Sequence, residues 1–206
     1  MNDAVDYSRG ITAATVELIP ADYFAPLDLA AIFPRVAPVE IDLGCGDGVF
    51  LSSLAAKFPE RNFLGVERLV GRVRSACGKA IRGKLPNVRV LRIESTYAVR
   101  YLLPPNSVDG VHLLFPDPWP KKRHHRRRIV TGDFLAAVHR ILNPGGWFRI
   151  ATDQEHYFEA IRELASAAEY QEDGDDGEER FPLTTFEKHF IATGAPIYRL
   201  GLRKIS

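Results

Sequence analysis

An α/β fold, with helices on both faces of a mostly parallel sheet, is what this sequence predicts. Three observations carry the prediction. Short apolar runs alternate with segments of helical period along most of the chain. The first of these runs ends in a glycine-rich turn, Gly44–Gly48, and a helix opens straight after it. The fourth run ends in a proline-spaced, strongly basic loop, 116–128. Both turns therefore fall at strand carboxyl ends, the edge at which α/β proteins bind ligands.

The elements follow in order. Val39–Leu43 is the first strand, and the helix after the glycine turn carries Phe50, Leu54 and Phe58 at fourfold spacing. Asn62–Glu67 is the second strand, followed by a helix over 70–84 dense in Arg and Lys. Val88–Ile93 is the third strand, followed by a short helix through Val99 and Leu103. Ser107–Phe115 is the fourth and delivers the basic loop. Ile129–Leu142 is a helix, with Val130, Phe134, Val138 and Ile141 at helical spacing, stopped by Asn143-Pro144-Gly145-Gly146. Trp147–Ala151 is the fifth strand. A helix over 154–168 then sets Tyr157, Ile161, Leu164 and Ala168 on one face. The tail holds a short helix near Thr185–Ile191 and a last strand at Ile197–Leu202. With no repeats and no long linker, the 206 residues are expected to form one domain, a lead-in of 1–37 and a core of 38–206.

Composition excludes several classes. No apolar run approaches the length of a membrane span, and the first ten residues lack the basic and apolar regions of a signal peptide. Two cysteines, Cys45 and Cys77, make no disulfide framework, and no Cys/His spacing points to a metal site. The expected setting is a reducing cytoplasm. A net charge of +1 conceals two opposed runs. Lys121, Lys122, Arg123, Arg126, Arg127 and Arg128 crowd into 121–128, while 172–179 reads EDGDDGEE. A local basic patch is what draws phosphates, whatever the sum. The acidic run reads as a solvated loop, since Gly174 and Gly177 break any helix.

The glycine turn points to a nucleoside. Gly44, Gly46 and Gly48 let the backbone turn sharply and admit a ligand without interference from Cβ atoms. The dinucleotide fingerprint requires a glycine at its sixth place, where this chain has Val49. With no pyrophosphate to seat, such a turn suits a smaller nucleoside with an amino-acid tail. Glu67 closes the second strand 23 residues after Gly44, the distance at which such folds place a carboxylate for ribose hydroxyls. Cys45 reads as a small loop filler rather than a nucleophile, having no partner histidine.

The loop points to nucleic acid. Pro116, Pro118 and Pro120 fix φ at every second position and exclude a regular helix there. Between them lie one carboxylate, Asp117, and one indole, Trp119, followed at once by the cations. A stiff segment of this kind suits a base held beside a phosphate backbone. Trp119 has two open readings, stacking on a base or packing the loop. Asp117 likewise either faces the ligand or pairs with Arg123 or Arg126. His124 and His125 extend the cationic surface rather than transfer protons.

On these residues the chain resembles the class I methyltransferases that use S-adenosylmethionine, in Asp42–Gly48, Glu67 and the Asn-Pro-Gly-Gly turn. More narrowly it resembles the bacterial tRNA (guanine-N7-)-methyltransferases. Phe115–Arg128, Ala151-Thr152-Asp153 with Tyr157, and Thr184-Thr185-Phe186-Glu187 with Gly194 and Leu200 match that family in order. The resemblance runs from about residue 38 to the C-terminus. It implies a Rossmann-like fold on a mostly parallel seven-stranded sheet, S-adenosylmethionine as cofactor and S-adenosylhomocysteine as product. It implies tRNA as partner and neither a metal nor an obligatory protein partner.

The resemblance also implies site residues. Asp42, Gly44, Gly46, Gly48, Glu67 and Glu94 match cofactor positions. Asp117 matches both a cofactor contact and the catalytic residue. Lys121, Asp153, Thr184, Thr185, Phe186 and Glu187 match substrate-side positions. Lys122, Arg123, Arg126, Arg127 and Arg128 join Lys121 as phosphate-binding cations. Asp153 and Glu187 keep a second reading, as capping or ion-paired residues. Asp42 stands where many members carry Glu, and Glu94 where Asp is common, so each keeps its charge and changes its reach by a methylene.

The implied reaction is methyl transfer to N7 of a guanine in the tRNA variable loop. Two other readings stand beside it. An RNA methyltransferase acting on an exocyclic amine carries an acid or amide, two prolines and then an aromatic residue. Here only Pro118 separates Asp117 from Trp119. A non-catalytic RNA-binding module of the same fold is the other, and the intact glycine turn and Glu67 count against it.

Overall fold

A computed structural model describes residues 12–173 and 181–205. The N-terminal stretch gives a single helical turn α1 (Ala13–Val16), a two-residue strand β1 (Glu17–Leu18) and a second turn α2 (Leu29–Ile32), capped by Asp28. The alternation then runs β2 (Val39–Leu43), α3 (Val49–Lys57), β3 (Asn62–Glu67), α4 (Val70–Arg82) and β4 (Val88–Arg92). A short turn α5 (Ser95–Tyr97) widens into a π-turn over Ala98–Leu102 before β5 (Val108–Leu114). After the basic segment come α6 (Gly132–Ile141), β6 (Leu142–Thr152), α7 (Glu155–Ser166), β7 (Tyr170–Asp173), α8 (Thr185–Thr193) and β8 (Tyr198–Lys204).

The strands form one sheet in the order β1-β4-β3-β2-β5-β6-β8-β7. All neighbours pair in parallel except β8, which runs antiparallel to both β6 and β7. The sheet is thus mostly parallel, as expected, but eight-stranded among the described residues rather than seven-stranded. Two strands were not read from the sequence: β1, a two-residue pairing of Glu17 and Leu18 with Val90 and Leu91, too short for any periodicity to announce, and β7, which pairs with β8 at the acidic edge.

β2 and β3 are buried along their whole length, as strands covered on both faces must be. One face packs Phe63, Val88 and Val90 against Leu51 and Leu54 of α3 and Val73 and Ala76 of α4. The other packs Ile41, Leu43 and Leu64 with Phe134, Val138 and Ile141 of α6 and Tyr157 and Ile161 of α7. On α7 the buried stripe is Tyr157, Ile161 and Ala165; Leu164 points outward and is half-exposed. The Asn143–Gly146 turn does end α6. It bulges from the sheet between the pairs Val108–Leu142 and Gly110–Trp147, so β6 resumes in register on the far side. Of the acidic run, Glu172 and Asp173 belong to β7, where they pair with Arg162 and Arg203. Residues 174–179 of that run lie outside the described residues.

The chain direction through the sheet reverses between β2 and β5. In open α/β sheets the ligand crevice lies at such a switch point, beyond the carboxyl ends of the strands. Here those ends are the glycine turn and the start of the basic loop.

Candidate active-site cleft

Gly44, Gly46 and Gly48 all take the left-handed backbone conformation, with φ of +76°, +57° and +80°. Only glycine occupies this region without steric cost. The turn is tied to the neighbouring strand, for the N–H groups of Gly44 and Cys45 both donate to Val66 O, at 2.8 and 3.0 Å. Beside it opens a cleft of about 580 Å³, a volume typical of small-molecule sites. Gly44, Glu67, Glu94, Asp117 and Arg127 all line it, so residues far apart in sequence meet around one space.

The acidic residues of the cleft are held in different ways. Glu67, 5% exposed at the end of β3, accepts from the N–H groups of Arg68 and Leu69 through Oε1, at 2.8 and 2.9 Å. Its Oε2 lies 3.9 Å from Arg72. Glu94 caps α5, accepting from Thr96 N and Tyr97 N, and is otherwise exposed. Asp42 sits behind the turn, 4% exposed. Burial, reinforced by the Glu67 carboxylate and opposed by the Arg149 guanidinium, pushes its pKa up to about 7. Burial also raises the Cys45 thiol well above its ordinary range, with Asp42 and Glu67 adding to the effect. A thiol held protonated in this way is a filler, not a nucleophile.

The other wall is the loop after β5. Phe115 has φ of +53° and Trp119 of +43°. Bulky residues rarely adopt this region, and the strain persists only where the surroundings enforce it. Phe115 N donates to Ala151 O at 2.7 Å, which anchors the entry to the loop. Asp117 is exposed on the cleft side, and among the described residues it makes no hydrogen bond or ion pair. The reading in which it pairs with Arg123 or Arg126 has no counterpart in the structure.

Past the prolines, Lys122–Arg127 form a short 3₁₀ helix. Lys121 just before it and Lys122, Arg123, Arg126 and Arg127 on it are exposed, with His124 and His125 half-buried; Arg128, expected among the phosphate-binding cations, is half-buried instead. Trp119 is packed by its own loop, since Arg127 lies 4.9 Å over its ring and His124 meets it edge-on. The loop-packing reading of Trp119 describes this state.

The other residues expected on the substrate side flank the cleft rather than line it. Asp153 follows β6, and its carboxylate accepts from the Gln154 side chain at 2.7 Å. Thr184 and Glu187 form the reciprocal cap of α8. Glu187 is fully buried and lies 3.2 Å from Arg149 and 3.3 Å from Arg199, an ion-paired and capping position. Thr185 and Phe186 are exposed on α8. Phe186 packs 5.7 Å from Phe115, which itself lines the cleft.

Sequence reasoning missed Arg68, Arg72, Ile93 and Ser95 as cleft-lining residues, because none belongs to a motif. It also passed over Arg149. That residue had a signal, a lone cation inside the apolar run Trp147–Ala151, and a buried charge demands partners. Among the described residues no group of three or more His, Cys, Asp or Glu is arranged to hold a metal ion, and no helix is long and apolar enough to cross a membrane.

Comparison with known proteins bears on family and fold. Residues 36–200 match a family model described as "Putative methyltransferase". The tRNA (guanine-N(7)-)-methyltransferase of Aromatoleum aromaticum is 38% identical over 184 residues, covering 87% of this chain and 71% of that protein. The protein of the same name from Nitrosospira multiformis is 35% identical, covering 86% and 80%, and that from Aeromonas hydrophila 36%, covering 88% and 79%. Among solved structures, an antibiotic-related methyltransferase superimposes with a TM-score of 0.61 at 20% identity, covering 94% of this chain and 99% of that one. The antibiotic-resistance methyltransferase Kmr gives 0.59 at 20%, covering 87% and 92%. At such identities these structures establish the fold.

Proposed function

This chain belongs to the tRNA (guanine-N(7)-)-methyltransferase family, and from that premise we propose that it methylates N7 of a guanine in the variable loop of tRNA, with S-adenosylmethionine as methyl donor. The observation that carries the reading is the meeting, in one cleft, of the glycine turn, Glu67 and an unpaired Asp117 on a strained loop that runs straight into exposed cations.

The residues present fit the cofactor. Gly44, Gly46 and Gly48 leave three positions of the turn without a side chain, and Glu67 keeps one carboxylate oxygen clear of backbone donors. Glu67 would hold the ribose hydroxyls, Glu94 the far end of the nucleoside, and Asp42 the cationic amino-acid end through the field it sets up behind the turn. Bound S-adenosylmethionine supplies an electrophilic methyl group and is left as S-adenosylhomocysteine.

The rest falls to the protein. Guanine N7 carries a free lone pair and no proton, so no general base has to act before the new N–C bond forms. Holding that nitrogen in line with the methyl group is the main requirement, and orientation of this kind removes several kcal/mol from a barrier. The product base is a cation. Asp117, exposed and unpaired, anchors the guanine through its N–H groups and stabilises the developing charge. Lys121, Arg123, Arg126 and Arg127 neutralise phosphates, and Thr185 and Phe186 extend that surface across the cleft. Asp153, Thr184 and Glu187 set the position of the segments around it.

The whole chain acts as one methyltransferase domain, its core 38–206 and its lead-in 1–37, and works in the cytoplasm, where tRNA is. The test is incubation of the purified protein with methyl-labelled S-adenosylmethionine and an unmodified tRNA transcript. Label in the tRNA supports the reading, and its absence from a protein that binds S-adenosylmethionine removes the activity.

A further inference from the structure

Arg128 differs from every other cation of the basic run. Lys121, Lys122, Arg123, Arg126 and Arg127 are exposed, and Arg128 is half-buried. Its Nε donates to Pro118 O at 2.8 Å. Its guanidinium lies 4.4 Å over the ring of Tyr157, which is 1% exposed in the first turn of α7. The Tyr157 hydroxyl in turn accepts from Val130 N, at 3.4 Å, where the basic segment re-enters the core.

The loop needs such a fastening. Prolines at 116, 118 and 120 carry no N–H, so the segment around Asp117 has lost every second donor with which to tie itself down. Trp119 is nevertheless held at a strained φ of +43°. The carbonyl that Arg128 grips belongs to Pro118, between Asp117 and Trp119. An arginine suits this place because its planar head donates an N–H in its own plane while its face rests on an aromatic ring.

We propose that Arg128 is a positioning residue for methyl transfer: it clamps Pro118 to Tyr157 and so fixes the Asp117 carboxylate, and it makes no contact with RNA phosphate. The inference rests on the function proposed above. A carboxylate displaced by about 1 Å is enough to lower a rate about 10²-fold.

The experiment compares wild-type protein with Arg128→Ala, Arg128→Lys and, as a reference for a phosphate contact, Arg126→Ala. Single-turnover methyl transfer at saturating tRNA is measured together with the salt dependence of tRNA affinity, well below each variant's melting temperature. Arg128→Ala should lose about 10²-fold in rate while its log–log salt slope stays that of wild type. Arg126→Ala should reduce that slope by about 0.7–0.9. Arg128→Lys keeps the problem tractable if the alanine variant fails to fold. A lysine serves a phosphate as a point charge but cannot donate to Pro118 and cover Tyr157 with a planar group at once. Its rate should therefore fall between wild type and alanine, with tRNA affinity retained. A full wild-type rate in Arg128→Lys, or a reduced salt slope in Arg128→Ala, overturns the proposal. A wild-type protein that transfers no methyl group defeats the parent function instead.

Discussion

Gly48 and Ala76 approach so closely that a Cβ built on Gly48 would stand 2.5 Å from the Ala76 Cβ. This contact joins the glycine turn to α4, and it separates the roles of the glycines. Gly44 has open space where a side chain would stand. Gly44→Ala therefore carries only backbone strain, about 1–3 kcal/mol. Gly48→Ala adds overpacking of a similar size, for about 2–6 kcal/mol in all. Urea unfolding of the two variants should rank them in that order, and equal losses would show that α4 yields freely.

Asp42 gives a pH dependence. Its carboxyl titrates near 3.8 in the unfolded chain and near 7 in the folded one. Between those values the folded state holds a proton that the unfolded state has released. The stabilisation is therefore complete below about pH 4 and falls as pH rises, until it is lost above about pH 7. Asp42→Asn removes this slope and should be more stable than wild type at pH 8, by on the order of a few kcal/mol. Denaturation at pH 5 and pH 8 checks it, and parallel profiles for the two proteins would contradict it. The cationic end of S-adenosylmethionine favours the ionised form, so wild-type affinity for it should rise with pH across the same window.

The exposed cations predict a salt effect. Neutralising Lys121, Arg123 and Arg126 together should weaken tRNA binding and flatten its log–log salt dependence, by up to about 0.7–0.9 for each lost phosphate contact. Affinity for S-adenosylmethionine, measured by calorimetry, should hardly change. An unaltered slope would mean that this face of the 3₁₀ helix points away from the RNA.

How far the sequence revealed this molecule follows from which interactions are local. β2, β3 and α6 were legible because burial on both faces makes apolar runs, and an amphipathic helix sets Phe134, Val138 and Ile141 on one stripe. β1 and β7 were not. The first spans two residues, and the second is an acidic edge strand whose pairing with β8 comes from elsewhere in the chain. The glycine turn and Glu67 were visible as a spacing, and Asp117 as a lone acid among prolines. The division of labour within the basic run was hidden. Arg126 and Arg128 are the same letter, and only the fold sets Tyr157 beneath one of them.

Asp117 lies on an exposed loop and packs against little of the core, so its removal should leave the protein folded. Asp117→Ala should lose turnover severely with an unchanged melting temperature. Asp117→Asn separates two contributions. It should keep more activity than the alanine variant if hydrogen bonding to guanine dominates, and as little if the negative charge is what favours the cationic product. A wild-type rate in Asp117→Ala would remove the residue from the site.

The identity of the methylated atom is the most direct test. A guanine methylated at N7 carries a fixed positive charge, and after borohydride reduction its glycosidic bond becomes labile. The variable-loop position is favoured because duplex RNA hides the base edge on which N7 lies, whereas a base held by tertiary contacts can be drawn out at modest cost. After incubation with the protein and S-adenosylmethionine, reduced tRNA treated with aniline should be cut at one position in the variable loop, and tRNA incubated without the cofactor should remain whole. Mass spectrometry that placed the methyl group on an adenine or an exocyclic amine would contradict the account, even with the fold and the cofactor correct.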